Sequence, residues 1–379
     1  MILDYVTLKL VWWFFISTLF IVFFILGGRD FGVCMLLPFI GRNDEERRLV
    51  LNSVGPTWDG NQVWLITAGG ATFAAWPLVY ASAFSGLYVA LFLVLLSLIL
   101  RPPGFEFRSK LPSKTWRTIW DYSLFISGFV PALVFGVGLG NLLLGLPFYF
   151  DDILQSHYEG NFFQLLNPLG LLFGLASTMI IALHGGTYLQ KKMPDSFNKR
   201  LIKVNLIAGL SFITLFILIG AWIKLRVSGF QITTIPELNG SLIPIHKEVT
   251  QVAQGWFKNY DAFPQLWSLP VITLVATLFA IFASKANKYK TAIMMSTLAI
   301  TFALLTANAT LFPFIIPSSV NPNHSLTLWD STSSYRTLHY MFWVTVVFLP
   351  IVLSYTFWAF RVFTGRLEQE QTLTLPESY

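Results

Sequence analysis

The sequence predicts an all-α polytopic membrane protein with about nine transmembrane helices. Only 12% of its 379 residues are charged, 55% are hydrophobic, and the mean hydropathy is +0.63. Soluble globular domains carry about 25% charged residues, so this composition excludes a soluble enzyme of this length. In addition, nine separate segments are apolar over the roughly 20 residues that a helix needs to cross the hydrocarbon core of a bilayer.

Short polar connections join these nine segments, so we expect residues 1–379 to form a single integral-membrane domain. The first segment has no basic n-region, is far longer than the apolar part of a signal peptide, and is expected to be a retained span rather than a cleaved signal. The second begins with polar side chains, and the alternative is eight spans with this segment only partly inserted. The segments are 10–40, 51–75, 78–100, 120–146, 163–188, 201–223, 264–284, 291–314 and 338–362.

The distribution of lysine and arginine predicts the orientation of the chain. Most of the 25 basic residues follow the first, third, fifth, seventh and ninth segments. Connections rich in basic residues face the cytoplasm, which places the N-terminus outside and the C-terminus inside. In contrast, the outer connection 147–162 contains acidic residues and no lysine or arginine. A polar tail, 365–379, follows the last span.

The second segment opens with Trp58-Asp59-Gly60-Asn61-Gln62 and becomes apolar and small towards Gly69 and Gly70. Asp59 and Gln62 are three residues apart and would share one face of a helix. A carboxylate at the entrance of a membrane helix is a functional-site hypothesis, because burying its charge is costly. The alternative is that these polar residues only cap a helix N-terminus.

Arg29 and Asp30 lie inside the first span, ten or so residues before its inner end. That spacing predicts a depth of about 15 Å, near the middle of the membrane. Adjacent residues on a helix do not face each other, so we expect each to need a partner elsewhere. The pair then serves either in a structural ion pair between helices or in a site that conducts protons or contacts a quinone.

The five histidines do not predict a haem or metal site. No pair has the spacing of metal ligands on one helix, and the sequence has no CxxCH motif. His184, near the inner end of the fifth span, is expected to be a hydrogen-bonded packing residue. The single cysteine, Cys34, excludes an internal disulfide. We therefore expect this chain to hold no metal and to bind no haem of its own.

The remaining motifs are compatible with two other classes of membrane protein. Glycine-rich nucleotide-binding patterns are absent, which argues against a nucleotide-driven transporter. A secondary transporter would suit several spans with buried charges, although no repeat of discontinuous helices is evident. A purely structural scaffold is the second alternative. By their polarity, the segments 312–319 and 325–330 are expected to be surface features of the outer side.

Five stretches together resemble subunit II of the cytochrome bd quinol oxidases. The most specific is Trp-Asp-Gly-Asn-Gln-Val-Trp at positions 58–64, and the resemblance covers nearly the whole chain in order. The five stretches are 41–48, 58–77, 101–108, 160–168 and 325–330.

The resemblance implies an electrogenic, proton-translocating terminal oxidase of the bacterial inner membrane, in which quinol oxidation is coupled to reduction of O2 to water. It implies subunit I as partner, with haem b558, haem b595 and haem d ligated there, and ubiquinone or another quinone. Lipids and small single-span accessory subunits are further candidate partners; nucleic acid is not. The implied fold is two four-helix bundles, about 10–146 and 163 onwards, with a peripheral helix ending near 362.

The resemblance also implies roles for individual residues. Asp59 matches a carboxylate at the cytoplasmic entrance of a proton pathway, and Asp30 matches an intramembrane acid of that pathway. Trp64 matches an indole associated with the route of O2. Trp58 and Arg101 match motif positions without an assigned role. The implied task of the subunit is to support assembly of the haem sites and these access routes.

The first span departs from the family pattern at two positions. Many relatives carry an acid where this chain has Gly27, and an apolar aromatic residue where it has Arg29. If the missing acid conducts protons in those relatives, that step runs differently here. A cation at position 29 would favour the charged form of a nearby carboxylate, which suits an ion pair better than a proton shuttle.

Overall fold

A computed structural model describes residues 3–234, 238, 243–363 and 365–367. Over these residues the chain forms thirteen α-helices and three short antiparallel hairpins. This confirms the prediction of an all-α membrane protein. The helices are α1 Tyr5–Ile40, α2 Asp44–Asn52, α3 Trp58–Ala75, α4 Pro77–Gly86, α5 Tyr88–Ile99, α6 Arg101–Phe107, α7 Lys114–Leu144, α8 Pro168–Lys192, α9 Asn198–Arg226, α10 Lys258–Ala262, α11 Ser268–Lys285, α12 Tyr289–Leu311 and α13 Tyr335–Val362.

The three hairpins lie at the end of the helical bundle that contains Tyr5, which we call the outer end. The opposite end, which contains Gly41 and Lys192, is the inner end. Each hairpin pairs two neighbouring strands, β1 with β2, β3 with β4 and β5 with β6. The strands are β1 Phe148–Phe150, β2 Ser156–Tyr158, β3 Ser228–Thr234, β4 Glu248–Ala253, β5 Phe314–Ile316 and β6 Leu326–Thr327.

Side-chain caps mark where several long helices begin. The Asp4 carboxylate accepts a hydrogen bond from the backbone N–H of Thr7 at the start of α1. Asn167 caps α8 in the same way, with Pro168 in its first turn. Such caps satisfy N–H groups that have no partner within the helix, and proline fits the first turn because its missing N–H is not needed there.

Glycines allow α1, α7 and α8 to pack with their backbones in contact. A Cβ atom on Gly32 of α1 would lie 2.4 Å from the carbonyl oxygen of Ile181 of α8, and one on Gly185 would lie 2.5 Å from the Gly32 carbonyl carbon. Gly128 of α7 approaches Phe31 of α1 equally closely. Small residues at helix crossings permit this packing in membranes. These three helices form the centre of the molecule.

Eight helical stretches among the described residues are long and apolar enough to cross a membrane. The predicted second segment is helical, as α3, but is not one of the eight. Predicted segment 78–100 consists of α4 and α5, separated at Leu87. The eight stretches are Tyr5–Ile40, Tyr88–Phe107, Lys114–Leu144, Pro168–Lys192, Asp195–Arg226, Pro264–Lys285, Tyr289–Leu311 and Tyr335–Val362.

Helix α3 nevertheless carries the chain towards the outer end. It begins beside α1, where Asn61 contacts Asp30. It ends beside Ser333, whose backbone N–H donates to the carbonyl oxygen of Ala75 and whose carbonyl accepts from the Tyr5 hydroxyl. The chain between α1 and α4 therefore passes from the inner end back to the outer end, as a ninth crossing would require.

The first and last helices place the two ends of the described chain at opposite ends of the bundle. α1 begins at the outer end, whereas α13 ends at Val362, and the carbonyl of the next residue, Phe363, accepts a hydrogen bond from Lys192 of the inner end. A chain whose two ends lie at opposite ends of the bundle must cross the bundle an odd number of times. The boundary between two bundles stays a prediction, because α1, α7 and α8 pack across it. Of the predicted polar tail, only Gly365, Arg366 and Leu367 fall within the described residues.

Candidate functional site

Arg29 and Asp30 form a buried ion pair in α1. The Arg29 Nε lies 3.7 Å from the Asp30 Oδ1, and the Asp30 side chain is fully buried. The two neighbours therefore do contact each other, which was not expected, and each also has a partner on another helix, as was expected. Although adjacent Cα–Cβ bonds point about 100° apart on a helix, the long arginine side chain reaches back to the carboxylate.

Asn61 supplies the hydrogen bond that holds the Asp30 carboxylate from α3. Its Nδ2 donates to the Asp30 Oδ2 at 2.7 Å, and both side chains are buried. Asn61, rather than Asp59, is thus the residue of the polar motif that turns towards α1. No functional role was predicted for it, although three-to-four-residue spacing along α3 places it on the same face as the buried Trp64.

Asp59 is exposed and has no hydrogen bond or ion pair within the described part of the chain. The structure therefore does not bring Asp59 and Asp30 into contact. Gln62 shares the predicted motif but is half-buried, and neither of its amide atoms has a partner. Val63, Ile66 and Phe73 continue the exposed face that Asp59 begins, and Ile66 is 72% exposed.

Arg101 approaches the same carboxylate from α6. It is buried, its Nη2 donates to the carbonyl oxygen of Ser127 at 3.1 Å, and its guanidinium lies 4.3 Å from the centre of the Phe31 ring. Burial disfavours the charged form of Asp30, whereas Arg29, Asn61 and, more weakly, Arg101 favour it. The Arg101 Nη1 is buried without a hydrogen-bond partner. The site thus contains two arginines and one carboxylate.

The Arg29 guanidinium lies between two aromatic rings. Its central carbon is 4.7 Å from the centre of the Tyr188 ring of α8 and 4.8 Å from that of Phe360 of α13. The Tyr188 hydroxyl donates to the carbonyl oxygen of Ser53 at 2.5 Å. Two of the Arg29 nitrogens, Nε and Nη2, have no hydrogen-bond partner. Cation–π contacts on both faces partly replace the missing hydrogen bonds.

These contacts place the Arg29 guanidinium near the inner ends of α8 and α13, whereas its depth in the membrane stays a prediction. Counted along α1, Arg29 lies about 16 Å from the inner end. Tyr188, however, is four residues before the end of α8, and Phe360 is two residues before the end of α13. On that side Arg29 lies about one helical turn from the inner ends, or about 6 Å. α1 has 36 residues, more than a bilayer core requires, so its end is a poor reference for depth.

The two motif tryptophans of α3 face inward. Trp64 is 8% exposed and packs in the central hydrophobic cluster. Trp58 stacks on Phe105 of α6 with their ring centres 5.2 Å apart and the planes 16° from parallel. Both indoles therefore hold α3 to the bundle, next to the side chains that surround Asp30.

A second buried carboxylate, Asp121 of α7, organises the inner end. It accepts hydrogen bonds from Arg108 Nε at 2.6 Å and from Arg47 Nη1 at 2.7 Å. Asp44 in turn pairs with Arg108 at 3.0 Å and with Arg117 at 2.7 Å. From these arginines only the orientation of the chain was predicted. The signal in the sequence for this network of ion pairs was an acidic residue, Asp121, at the start of an apolar span.

The Glu46–Arg200 pair joins α2 to α9 across the inner end. Two parallel hydrogen bonds of 2.6 and 2.8 Å connect the guanidinium to the carboxylate. Chiefly because of this bond from Arg200, the pKa of the Glu46 carboxyl lies below its ordinary value. Arg200 also donates to the carbonyl oxygen of Ile40, the last residue of α1. The pair therefore ties three helices together.

His184 occupies a separate polar cluster within α8, α9, α11 and α12. Its Nδ1 lies 2.8 Å from the Ser296 Oγ and its Nε2 lies 3.0 Å from the carbonyl oxygen of Ile25. Since a carbonyl only accepts, Nε2 carries the hydrogen and Nδ1 of the neutral ring accepts from Ser296. Both ring nitrogens are therefore occupied, as expected of a hydrogen-bonded packing residue.

The outer segment 325–330 is buried, so the expectation of a surface feature was wrong there. Thr327 is fully buried, and Asp330 forms an ion pair with the buried Lys247, with Nζ and Oδ2 2.8 Å apart. Asp330 also accepts a hydrogen bond from the backbone N–H of Thr327. The hairpins fold over this polar loop, an effect of tertiary packing that local polarity does not reveal.

The described residues enclose an apolar cavity. They contain no group of three or more histidine, cysteine, aspartate or glutamate side chains that could hold a metal ion. An apolar cavity of about 530 Å³ lies between α1, α5, α7, α8, α9 and α12. Trp13, Phe20 and Phe216 are among the side chains that line it, and Asn308 and Tyr260 supply polar groups.

Comparisons with known proteins agree over almost the entire chain. Residues 8–363 match the family model described as cytochrome bd terminal oxidase subunit II. The chain is 46% identical over 368 residues to cytochrome bd-I ubiquinol oxidase subunit 2 of Escherichia coli K12, covering 97% of each protein. It is 45% identical to the probable cytochrome oxidase subunit 2 of Haemophilus influenzae, again over 97% of each chain.

A solved structure agrees with the fold. The bd oxidase from Geobacillus thermodenitrificans contains a chain that superimposes with a TM-score of 0.69, covering 94% of this chain and 98% of that one. The two sequences are 13% identical, so this likeness bears on the fold alone.

Proposed function

The chain belongs to the cytochrome bd terminal oxidase subunit II family, and on that premise we propose that it provides the inner proton entry and the O2 route of a bd-type quinol oxidase. Membership implies subunit I as its partner, and a complex that oxidises quinol and contains haem cofactors. The observation that carries the proposal is the buried cluster of Asp30, Asn61 and Arg101 behind the exposed Asp59. We propose that the coupled reaction generates a proton gradient.

Asp59 is the entrance acid in this proposal. Its exposed carboxylate can exchange protons with water or with a group of the partner subunit. One helical turn further along α3, the unpartnered amide of Gln62 offers a donor and an acceptor to bound water. Asp30 lies beyond it as a buried negative charge that favours the passage of a positive one. The role of this chain is thus to admit and guide protons.

The exposed face of α3 is where we propose that subunit I packs. It carries Val63, Ile66 and Phe73 in line with Asp59. Burial of this face would enclose the entrance acid between two subunits and exclude bulk water from the route. The haems, which supply the electron transfer and O2 chemistry when bound, are then held by subunit I. Helix packing in this chain supports their assembly.

Trp64 is proposed to border the route of O2, because it is a buried indole directly beneath that face. Replacing it with alanine removes a large side chain and opens a cavity beside the route. We expect W64A to alter the rates of CO rebinding and of O2 reaction while the haem content stays normal. Flash photolysis of the CO complex measures this, and unchanged rates would reject the role.

The apolar cavity is proposed to hold the isoprenoid tail of a quinone. Its volume and aromatic lining suit a branched hydrocarbon chain, and Asn308 and Tyr260 could meet a polar head group. Extraction of the purified complex followed by mass spectrometry would identify the quinone. A complex without bound quinone, purified in mild detergent, would argue against this use of the cavity.

The complete proposal is tested by purifying this chain, tagged, in mild detergent from its bacterial membrane. We expect one co-purifying membrane subunit and low-spin b and chlorin-type bands in reduced-minus-oxidised and CO-difference spectra. Small single-span polypeptides would be accessory subunits. In intact cells, a cysteine-reactive, membrane-impermeant reagent should label a cysteine placed before Tyr5 but not one placed after Leu367. A colourless preparation without a partner would contradict the proposal.

A further inference from the structure

We propose that Arg29 is a positioning residue that fixes Asp30 as a permanent carboxylate and ties it to the inner end of α13. This inference rests on the proposed proton route, in which it defines how Asp30 takes part. Asp30 acts through its fixed charge and does not itself accept and release protons during turnover. The evidence is the charge balance of the site and the contacts of the Arg29 guanidinium.

The charge balance favours an ionised Asp30. Arg29 and Arg101 are both buried, and arginine stays protonated in proteins. If Asp30 were neutral, two guanidinium groups would be buried together without a compensating charge. Removing the anion from a buried ion pair is strongly destabilising, because the remaining charge is unpaired. With Asp30 ionised, the three side chains carry one net positive charge.

The other groups around Asp30 do not change this balance. α1 contributes the Cys34 thiol and α8 the Tyr188 hydroxyl, both neutral in their ordinary protonated forms. α3 contributes the uncharged Asn61 amide. Asn61 donates a hydrogen bond to the carboxylate, which favours the charged form. The arrangement therefore stabilises a carboxylate from two helices and leaves its Oδ1 facing Arg29.

The aromatic contacts of Arg29 connect this ion pair to α13. Much of the middle of α13 is exposed, as at Phe348 and Ile351. Its inner end is held by the Phe360 ring against Arg29 and by the bond from Lys192 to the Phe363 carbonyl. Tyr188 covers the other face of the guanidinium. The two rings limit the positions of Arg29, so Asp30 keeps its counter-ion.

The inference is tested by infrared difference spectroscopy on the complete oxidase complex, titrated from alkaline to acid pH. In the wild type we expect no carbonyl band of a protonated carboxylic acid assignable to Asp30. In R29Q, which removes the charge, such a band should appear as the pH falls, and it should be missing from R29Q/D30N. R29K keeps the charge and should behave as the wild type. R29M replaces R29Q if the latter does not assemble.

Two results would overturn the inference: an Asp30 band in the wild type, or no Asp30 band in the variants that lack the charge. Turnover provides a second readout. R29Q should lose activity towards acid pH more steeply than wild type, because Asp30 becomes neutral there. F360L should shift the profile in the same direction by less, whereas F357L, at a ring that is 71% exposed, should not. An identical profile for F360L and F357L would reject the link to α13.

Failure of the wider proposal would look different. If Asp59 were not a proton entrance, D59N would keep full turnover, whereas the infrared result for Asp30 would be unaffected. If Arg29 did not hold Asp30 charged, the infrared result would fail while D59N still slowed the enzyme.

Discussion

Two buried polar clusters lie on either side of α1, and they differ in how fully their atoms are paired. In the cluster around His184, both ring nitrogens, Ser296 and Thr187 all have partners. Ser284 joins Gln190 to Asn205 nearby, and of these three side chains only Asn205 leaves a buried atom, its Oδ1, without a partner. In the cluster around Asp30, Arg29, Gln62 and Arg101 each leave at least one buried polar atom without a partner.

This difference in pairing distinguishes a cluster with a structural role from a candidate functional site. Buried polar groups in native proteins are nearly always hydrogen-bonded, and an orphaned group calls for water, a ligand or a functional reason. A paired cluster such as that of His184 fixes the positions of helices. The Asp30 cluster, in contrast, retains free donors and acceptors beside an exposed acid. We therefore propose that the Asp30 cluster handles protons, whereas the His184 cluster fixes the helices.

Asp30→Asn should produce the largest effect, since it leaves Arg29 and Arg101 buried without an anion. We expect a loss of stability of about 3–5 kcal/mol, the usual result of breaking a buried pair. Thermal unfolding of the purified complex, followed by haem absorbance, measures it. R29Q/D30N contains one buried cation fewer and should recover part of the loss. A double variant no more stable than D30N would show that charge balance does not govern this site.

His184→Leu should have a smaller effect, confined to stability. It removes the two hydrogen bonds to Ser296 and Ile25, which costs about 1–3 kcal/mol in the free energy of unfolding. Turnover per haem and haem content should be unchanged. H184Q, which keeps a donor and an acceptor, serves as the matched control. Loss of a haem band in H184L would instead make His184 a ligand and remove the contrast between the clusters.

The Glu46–Arg200 pair, which links the two sides of the molecule, should have the smallest effect. Because its pKa is lowered in the folded state, Glu46 stabilises the protein above its ordinary pKa of about 4.3, and this contribution is lost as pH falls through the lower folded value. E46Q should cost about 1 kcal/mol at neutral pH and less in acid. The measurement is the difference in unfolding temperature between E46Q and wild type as a function of pH. A difference that is the same at every pH would contradict this prediction.

The composition and the spacing of the apolar segments predicted the fold, because each such segment must be buried in protein or face lipid, whichever helices pack beside it. The sequence also singled out Asp30 as an intramembrane acid and Arg101 and Trp64 as motif positions, and all three prove to be buried. It did not predict the Arg29–Asp30 contact, because helical spacing ignores the length of the arginine side chain. Asn61 was missed because only the fold reveals which side of α3 meets α1.

The contacts of Arg29 with α8 and α13 and the burial of Asp330 escaped prediction for a similar reason. Both depend on elements distant in the chain: the inner ends of α8 and α13 for Arg29, and the outer hairpins for Asp330. Local polarity and distance along one helix carry no information about such contacts. Hydropathy alone likewise ranks α3 below the other spans, although α3 begins beside Asp30 of α1 and ends beside Ser333.

The central claim is that protons enter beside the Asp30 cluster through Asp59, and proton uptake by the enzyme in sealed vesicles tests it most directly. The complex carrying Asp59→Asn would be compared with wild type and with H184Q during quinol oxidation. We predict normal haem spectra and slowed turnover with slowed uptake from the inner side for D59N, and wild-type rates for H184Q. Full turnover and uptake in D59N, or loss of its haem, would contradict the account.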